Sequence, residues 1–149
     1  MANEIRVNSS LTIRQVDADN NVVLEYQSRP TSFQEDMSGA VGPSPGAILA
    51  LTTGTIVDLS VLTIPGAYRI ASLDDDEGNY IEYGIYDPQA DEFYPWGELR
   101  PGHSHVGYFS RNLLEMYTNT GTGTTGAIKK VMVKAFNANA YCTLEAFDK

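Results

Sequence analysis

NYIEYGIYDPQADEFYPWGELRPGHSHVGYFSR, residues 79–111, decides the fold. Its first run, Tyr80-Ile81-Glu82-Tyr83-Gly84-Ile85-Tyr86, alternates aromatic and β-branched residues with polar ones. Successive side chains of a strand point to opposite faces, so this alternation encodes a half-buried strand. Asp87-Pro88 then marks a turn, and Phe93-Tyr94-Pro95-Trp96 is a second extended run. Arg100-Pro101-Gly102 marks another turn, before a third strand from His105 to Phe109. Three such segments in succession spell a meander of antiparallel strands.

The same grammar extends in both directions. Residues 47–51, 54–59 and 67–71 read as strands upstream, with an acidic turn at 74–79. Residues 128–136 and 140–147 read as closing strands around a turn at Asn137-Ala138-Asn139. Near the N-terminus Ile5, Val7, Leu11 and Ile13 keep one phase, with Arg6, Thr12 and Arg14 between them. That predicts one long strand, or two collinear strands broken at Ser9-Ser10. Asp19-Asn20-Asn21 reads as a hairpin turn, because Asn and Asp tolerate positive φ, and Val22, Leu24 and Tyr26 supply the return strand. Helical turns are expected only near 60–64 and 112–116, and TNTGTGTTG at 118–126 reads as a glycine–threonine loop. About ten short strands at this spacing predict an all-β chain, a two-sheet antiparallel β-sandwich forming one domain over residues 1–149.

Residues 29–46, RPTSFQEDMSGAVGPSPG, hold three prolines and three glycines and sustain no period. So long a stretch without a pattern is uncommon inside a compact domain unless it has a job. Either it is disordered, or it is an irregular N-terminal arm that becomes ordered against something else. In the second reading Phe33, Met37 and Val41 are its anchors.

Composition narrows the function. A net charge of −9 and a pI near 4.5 argue against general nucleic-acid binding and against docking to an anionic bilayer. Cys142 is the only cysteine, so no intrachain disulfide forms, and its apolar neighbours give it the role of a small buried hydrophobe. The N-terminus carries no apolar signal-peptide core, and the longest apolar stretch is too short to span a bilayer, so synthesis in a cytoplasm is the expectation.

Each chemical constellation competes with a plainer reading. His103 and His105 are two apart, as residues on one strand face are, and could share a metal ion with Glu98 or Asp91; after the Pro101-Gly102 turn they read equally as solvated. Asp74-Asp75-Asp76 clusters hard oxygen ligands but lacks the spacing of a calcium loop, so a solvated turn is preferred. Neither group is assigned a metal, and no cofactor is expected. Tyr80, Tyr86 and Trp96 could make an aromatic platform for a sugar, against the alternative that they fill a core or an interface. Glu82 and Glu98 could be paired as acid and base, though no feature raises either pKa, and no nucleophile elbow is present. The chain is therefore expected not to be an enzyme.

From residue 57 onward an ordered set of marks accumulates: Val57-Asp58-Leu59-Ser60, Pro65-Gly66-Ala67-Tyr68-Arg69-Ile70, Ser72-Leu73-Asp74, and Asn79 to Gly84. Phe93-Tyr94-Pro95 and Glu98 to Gly102 follow, with an apolar strand ending at Ser110-Arg111. This pattern, over about a third of the chain, resembles small virion proteins of tailed bacteriophages, whose β-sandwich or jelly-roll subunits decorate or cement capsids or belong to the neck and tail. The resemblance implies a capsid decoration or cement subunit at the virion surface. Its partners would be the major capsid protein and itself, a trimer being the first expectation. Contacts would fall on Phe33, Met37 and Val41 of the arm and on Tyr94 and Trp96 at a hairpin end. A carbohydrate-binding module of a fibre or spike, and a neck or tail component, are the alternatives.

Overall fold

The computed structural model describes residues 3–37, 43–62, 65–109 and 130–148, and the chain divides into two compact units, Met1–Met37 and Ser38–Lys149. Where the sequence predicts one domain, this division arises because the first four strands pair with one another.

The first unit is a ribbon. Strands β1 (Asn3–Ser9) and β4 (Thr31–Met37) pair antiparallel, as do β2 (Thr12–Val16) and β3 (Val22–Gln27). The Leu11 amide donates to the Ser28 hydroxyl and the Ser28 amide to the Leu11 carbonyl, both at 2.8 Å, so one ladder runs into the next. The two collinear strands read from the N-terminal phase are β1 and β2. At the tip, Asp17 accepts from the amides of Asp19 and Asn21, each at 2.9 Å, and Asn20 takes a φ of 63°. The Asn21 amide and side chain hold the Asp17 carboxyl below the ordinary carboxylate range.

The stretch expected to be an irregular arm is largely paired backbone. Thr31–Met37 is β4, and β5 (Ser44–Ala50) begins inside it. Only Phe33 and Met37 are apolar among the seven residues of β4, too few to set a period in the sequence. Its partner is this chain's own Asn3–Ser9.

The second unit carries β5, β6 (Thr55–Ile56), β7 (Pro65–Ser72), β8 (Ile81–Asp87), β9 (Glu92–Leu99), β10 (Ser104–Tyr108), β11 (Lys130–Ala135) and β12 (Ala140–Asp148). Two four-stranded antiparallel sheets run β5-β12-β7-β10 and β6-β11-β8-β9. Counted within this unit, the orders are 1-8-3-6 and 2-7-4-5, the double Greek key of a jelly roll, among the described residues. The β-sandwich expected from the sequence is thus what forms. One buried cluster joins the two inner faces: Ile48, Ile70, Cys142 and Leu144 from one sheet, Ile81, Leu99, Val131 and Val133 from the other. Strict alternation puts them there; in β12 the even positions from Ala140 to Asp148 are buried and the odd ones are not.

One end of the sandwich is tied. The Asn79 side chain, nearly fully buried, donates to the Asp74 carboxylate at 2.7 Å and to the Ala138 carbonyl at 2.9 Å. Its oxygen accepts from the amides of Tyr80 and Asn137 at 3.1 Å and of Ala138 at 3.4 Å. The Thr52 amide donates to Asn139, and the Ser72 amide to the His103 carbonyl. Asn79 and Asn139 therefore tie three loops through their side chains, and the loop at His103 joins through the backbone.

Candidate functional site

Among the described residues β9 is an edge strand, and it concentrates exposed aromatic side chains. Pro95 has no amide proton to give a ladder, which confines it to an edge strand or a bulge. Here it sits at both: Tyr83 pairs with Gly97 and Gly84 with Pro95, leaving Trp96 as the extra residue of a bulge. Two glycines make that possible. A Cβ on Gly84 would lie 2.1 Å from the Tyr94 carbonyl oxygen, and one on Gly97 would lie 2.4 Å from the Tyr83 ring. The bulge turns Trp96 outward, where it and Tyr94 remain 47% and 51% exposed.

Beneath Trp96 a chain of rings crosses the sandwich. Trp96 meets Tyr83 edge-on, with centroids 6.1 Å apart and planes at 84°. The buried Tyr83 reaches from β8 to the opposite sheet, its hydroxyl 2.8 Å from Nδ1 of His105 on β10. Tyr68 of β7 pairs with the Tyr83 hydroxyl and stacks on Phe109 with centroids 4.4 Å apart, in space that Gly107 leaves free. Burial and the neighbouring Tyr68 push the Tyr83 phenol up to about 12. At neutral pH the Tyr68 and Tyr83 phenols keep their protons, and the rings brace one exposed indole. Such preorganised aromatics suit an interface anchor, because little side-chain freedom is lost on contact.

The other candidate residues are dispersed. Tyr94 and Trp96 lie within β9 rather than at a hairpin end, the turn being 88–91. The backbone sets Phe33 opposite Val7 and Met37 opposite Asn3; their side chains, and all of Val41, lie outside what the structure describes. The glycine–threonine loop and the helical turn expected at 112–116 also lie outside the described residues. His105 is committed to Tyr83, while His103 is exposed in the preceding turn. Among the described residues, no group of three or more His, Cys, Asp or Glu side chains is placed to hold a metal ion. Asp74 is spent on the amides of Asp75 and Asp76 and on Asn79. Glu98 pairs with Arg100 at 2.9 Å. Cys142 is fully buried, and burial pushes its thiol up to about 11.

Tyr80, Tyr86 and Trp96 do not converge on one platform. Tyr80 stacks on Phe136 at 4.5 Å, and Trp96 leans on Tyr83. Tyr86, of opposite parity to Tyr83, lines a cavity of about 340 Å³ with Ile56, Asp91, Phe93, Met132 and Lys134. Its hydroxyl donates to Asp91 at 2.7 Å, which raises the Tyr86 pKa.

The tied end holds a second exposed apolar group that the sequence reading passed over. Tyr141 pairs with Leu49 across the sheet and accepts the Leu73 amide at its carbonyl, and all three side chains are exposed. A signal was available: Tyr141 falls out of phase with Ala140, Cys142, Leu144 and Ala146. An aromatic on the polar phase of a strand points outward. Compared with known proteins, the chain matches no family model, no curated protein and no solved structure.

Proposed function

We propose that this chain is a non-enzymatic structural subunit of a tailed-phage virion, most specifically a decoration or cement protein, that binds the major capsid protein and other copies of itself, with a trimer as the expected assembly. The observation that carries the reading is Trp96: a large indole set outward by a bulge and braced by Tyr83 and His105. The jelly roll is a fold that capsid proteins use, though it is an analogy of architecture alone. A rigid module bound repeatedly across a symmetric lattice stabilises that lattice by mass action, without turnover. Purified particles test the reading. Copy number is measured against the major capsid protein, and Trp96→Ala is added back to undecorated shells. Near-stoichiometric copies, with binding weakened at least about tenfold by loss of one buried aromatic anchor, are expected. A handful of copies per particle would move the chain to the neck or tail, and absence from particles would end the proposal.

One observation favours a second reading, carbohydrate binding. The 340 Å³ cavity is lined by the aromatic Tyr86 and Phe93 together with the hydrogen-bonding Asp91 and Lys134. A glycan array separates the two. Sugar-specific binding abolished by Phe93→Ala but kept by Trp96→Ala supports recognition at this cavity, and uniform silence removes it.

A further inference from the structure

The ribbon of the first unit has two unlike faces. In the β2–β3 register Ile13 faces Tyr26 and Gln15 faces Leu24, with Leu11 in the same phase. Leu11, Ile13, Leu24 and Tyr26 thus share one face, and each is between 55% and 62% exposed. The opposite face holds the ions: Arg14 pairs with Glu25 at 2.8 Å, and Arg6 bridges Glu4 and Gln34 at 3.2 and 3.1 Å. The ribbon is amphipathic, and its apolar side carries no charge from residue 11 to Tyr26 and Ser28 along either strand.

Two strands cannot cover that face by themselves. An isolated hairpin is marginal in water, and stability comes with more strands sharing an apolar face. The four side chains expose on the order of 500 Å² per copy, within the range of a monomer's largest apolar patch, which is often functional; two such faces together reach about 1,000 Å², the size at which an interface becomes specific.

We infer that this face docks on a second copy of this chain, hairpin against hairpin, making a small sandwich of four or more strands about a symmetry axis. Three features select a copy over an unrelated partner. The chain carries a net charge of −9, so copies repel wherever acidic surfaces meet; this face brings none together. A symmetric contact requires a surface complementary to itself, which a flat, uncharged row of Leu, Ile and Tyr satisfies. The ribbon is also preorganised, its tip fixed by Asp17 and its middle by the Leu11–Ser28 pair, so little order is lost on docking. The inference deepens the self-association part of the proposed function and stands apart from the capsid part. A chain that assembles through this face yet ignores capsids overturns the decoration reading alone.

Sedimentation velocity on the full chain, at up to about 100 μM, tests it. The parent is expected to sediment at two or three times the monomer mass. Ile13→Thr with Leu24→Thr puts a strand-favouring β-branched residue at both positions and removes apolar surface, and should weaken association at least about tenfold. Arg14→Thr with Glu25→Thr, on the other face, should leave the mass unchanged. A monomeric parent overturns the inference. An assembly indifferent to Ile13→Thr with Leu24→Thr, or equally weakened by the polar-face pair, overturns it as well.

Discussion

Gly84→Ala puts the geometry of the β9 edge to its hardest test. The added methyl would sit 2.1 Å from the Tyr94 carbonyl oxygen, 2.7 Å from the Pro95 Cα and 2.9 Å from the Tyr94 carbonyl carbon. All three are backbone atoms, so no side chain can swing away to accommodate it. Strands β8 and β9 must part locally by about 1 Å from their usual spacing of about 4.8 Å. That strains the ladder where Ile85 faces Tyr94 and Gly84 faces Pro95. Overpacking of about 1–3 kcal/mol plus a weakened hydrogen bond worth about 1 kcal/mol gives an expected loss of about 2–4 kcal/mol. Urea unfolding measures the loss, and Trp96, the chain's only tryptophan, reports on the site by its emission. A red shift and readier quenching are expected as the bulge opens and Trp96 leaves Tyr83. Gly102→Ala is the control: open space surrounds its Cβ, but its φ is +72°, so it should cost about 1 kcal/mol and leave the emission alone. If Gly84→Ala matches its parent within about 0.5 kcal/mol with unchanged emission, the bulge does not depend on this glycine, and the account of how Trp96 is aimed is wrong.

Asn79→Ala should destabilise by about 3 kcal/mol, since five hydrogen bonds at a buried position are lost together; a drop below about 1 kcal/mol would show that the tied loops stand without it. Asn79→Asp keeps the accepting oxygen but sets a carboxylate against Asp74, so its deficit should shrink on acidification through the carboxylate range; a pH-independent deficit would refute the contact. Cys142 should resist a disulfide reagent at neutral pH until the chain unfolds globally, because burial holds its thiol up at about 11; rapid labelling of native protein would contradict its place in the core. Tyr83 keeps its proton more tightly in the native state, with a pKa of about 12 against 10.0. Its share of stability is therefore whole below pH 10 and is lost as pH climbs toward 12. Urea midpoints of the parent should fall more steeply across that window than those of Tyr83→Phe, and parallel curves would refute the shift.

What the sequence disclosed and what it withheld divide along one physical line. Alternation reports burial, so wherever a strand packs on the jelly-roll core its phase was readable. The meander at 79–109 and the closing strands are the clearest cases. Residues 31–37 pair just as regularly, but with only Phe33 and Met37 apolar their strand left no apolar signature. Asn79 escaped notice because a buried amide bridging residues 58 and 59 positions away carries no local mark. The bulge was hidden for a related reason: Pro95 hints at an edge, but which glycine faces it depends on the register of a partner strand. Conversely, large exposed apolar side chains mark where alternation and the core part company. Tyr141 lies opposite in phase to its buried neighbours, Trp96 is the one residue of β9 without a cross-strand partner, and Leu11, Ile13, Leu24 and Tyr26 keep a core-like period on a ribbon of two strands that buries none of them. An apolar period without a core to receive it is an unmet demand for burial. In this chain that demand is concentrated on the hairpin, which makes the mass of the assembled protein the measurement with most to decide.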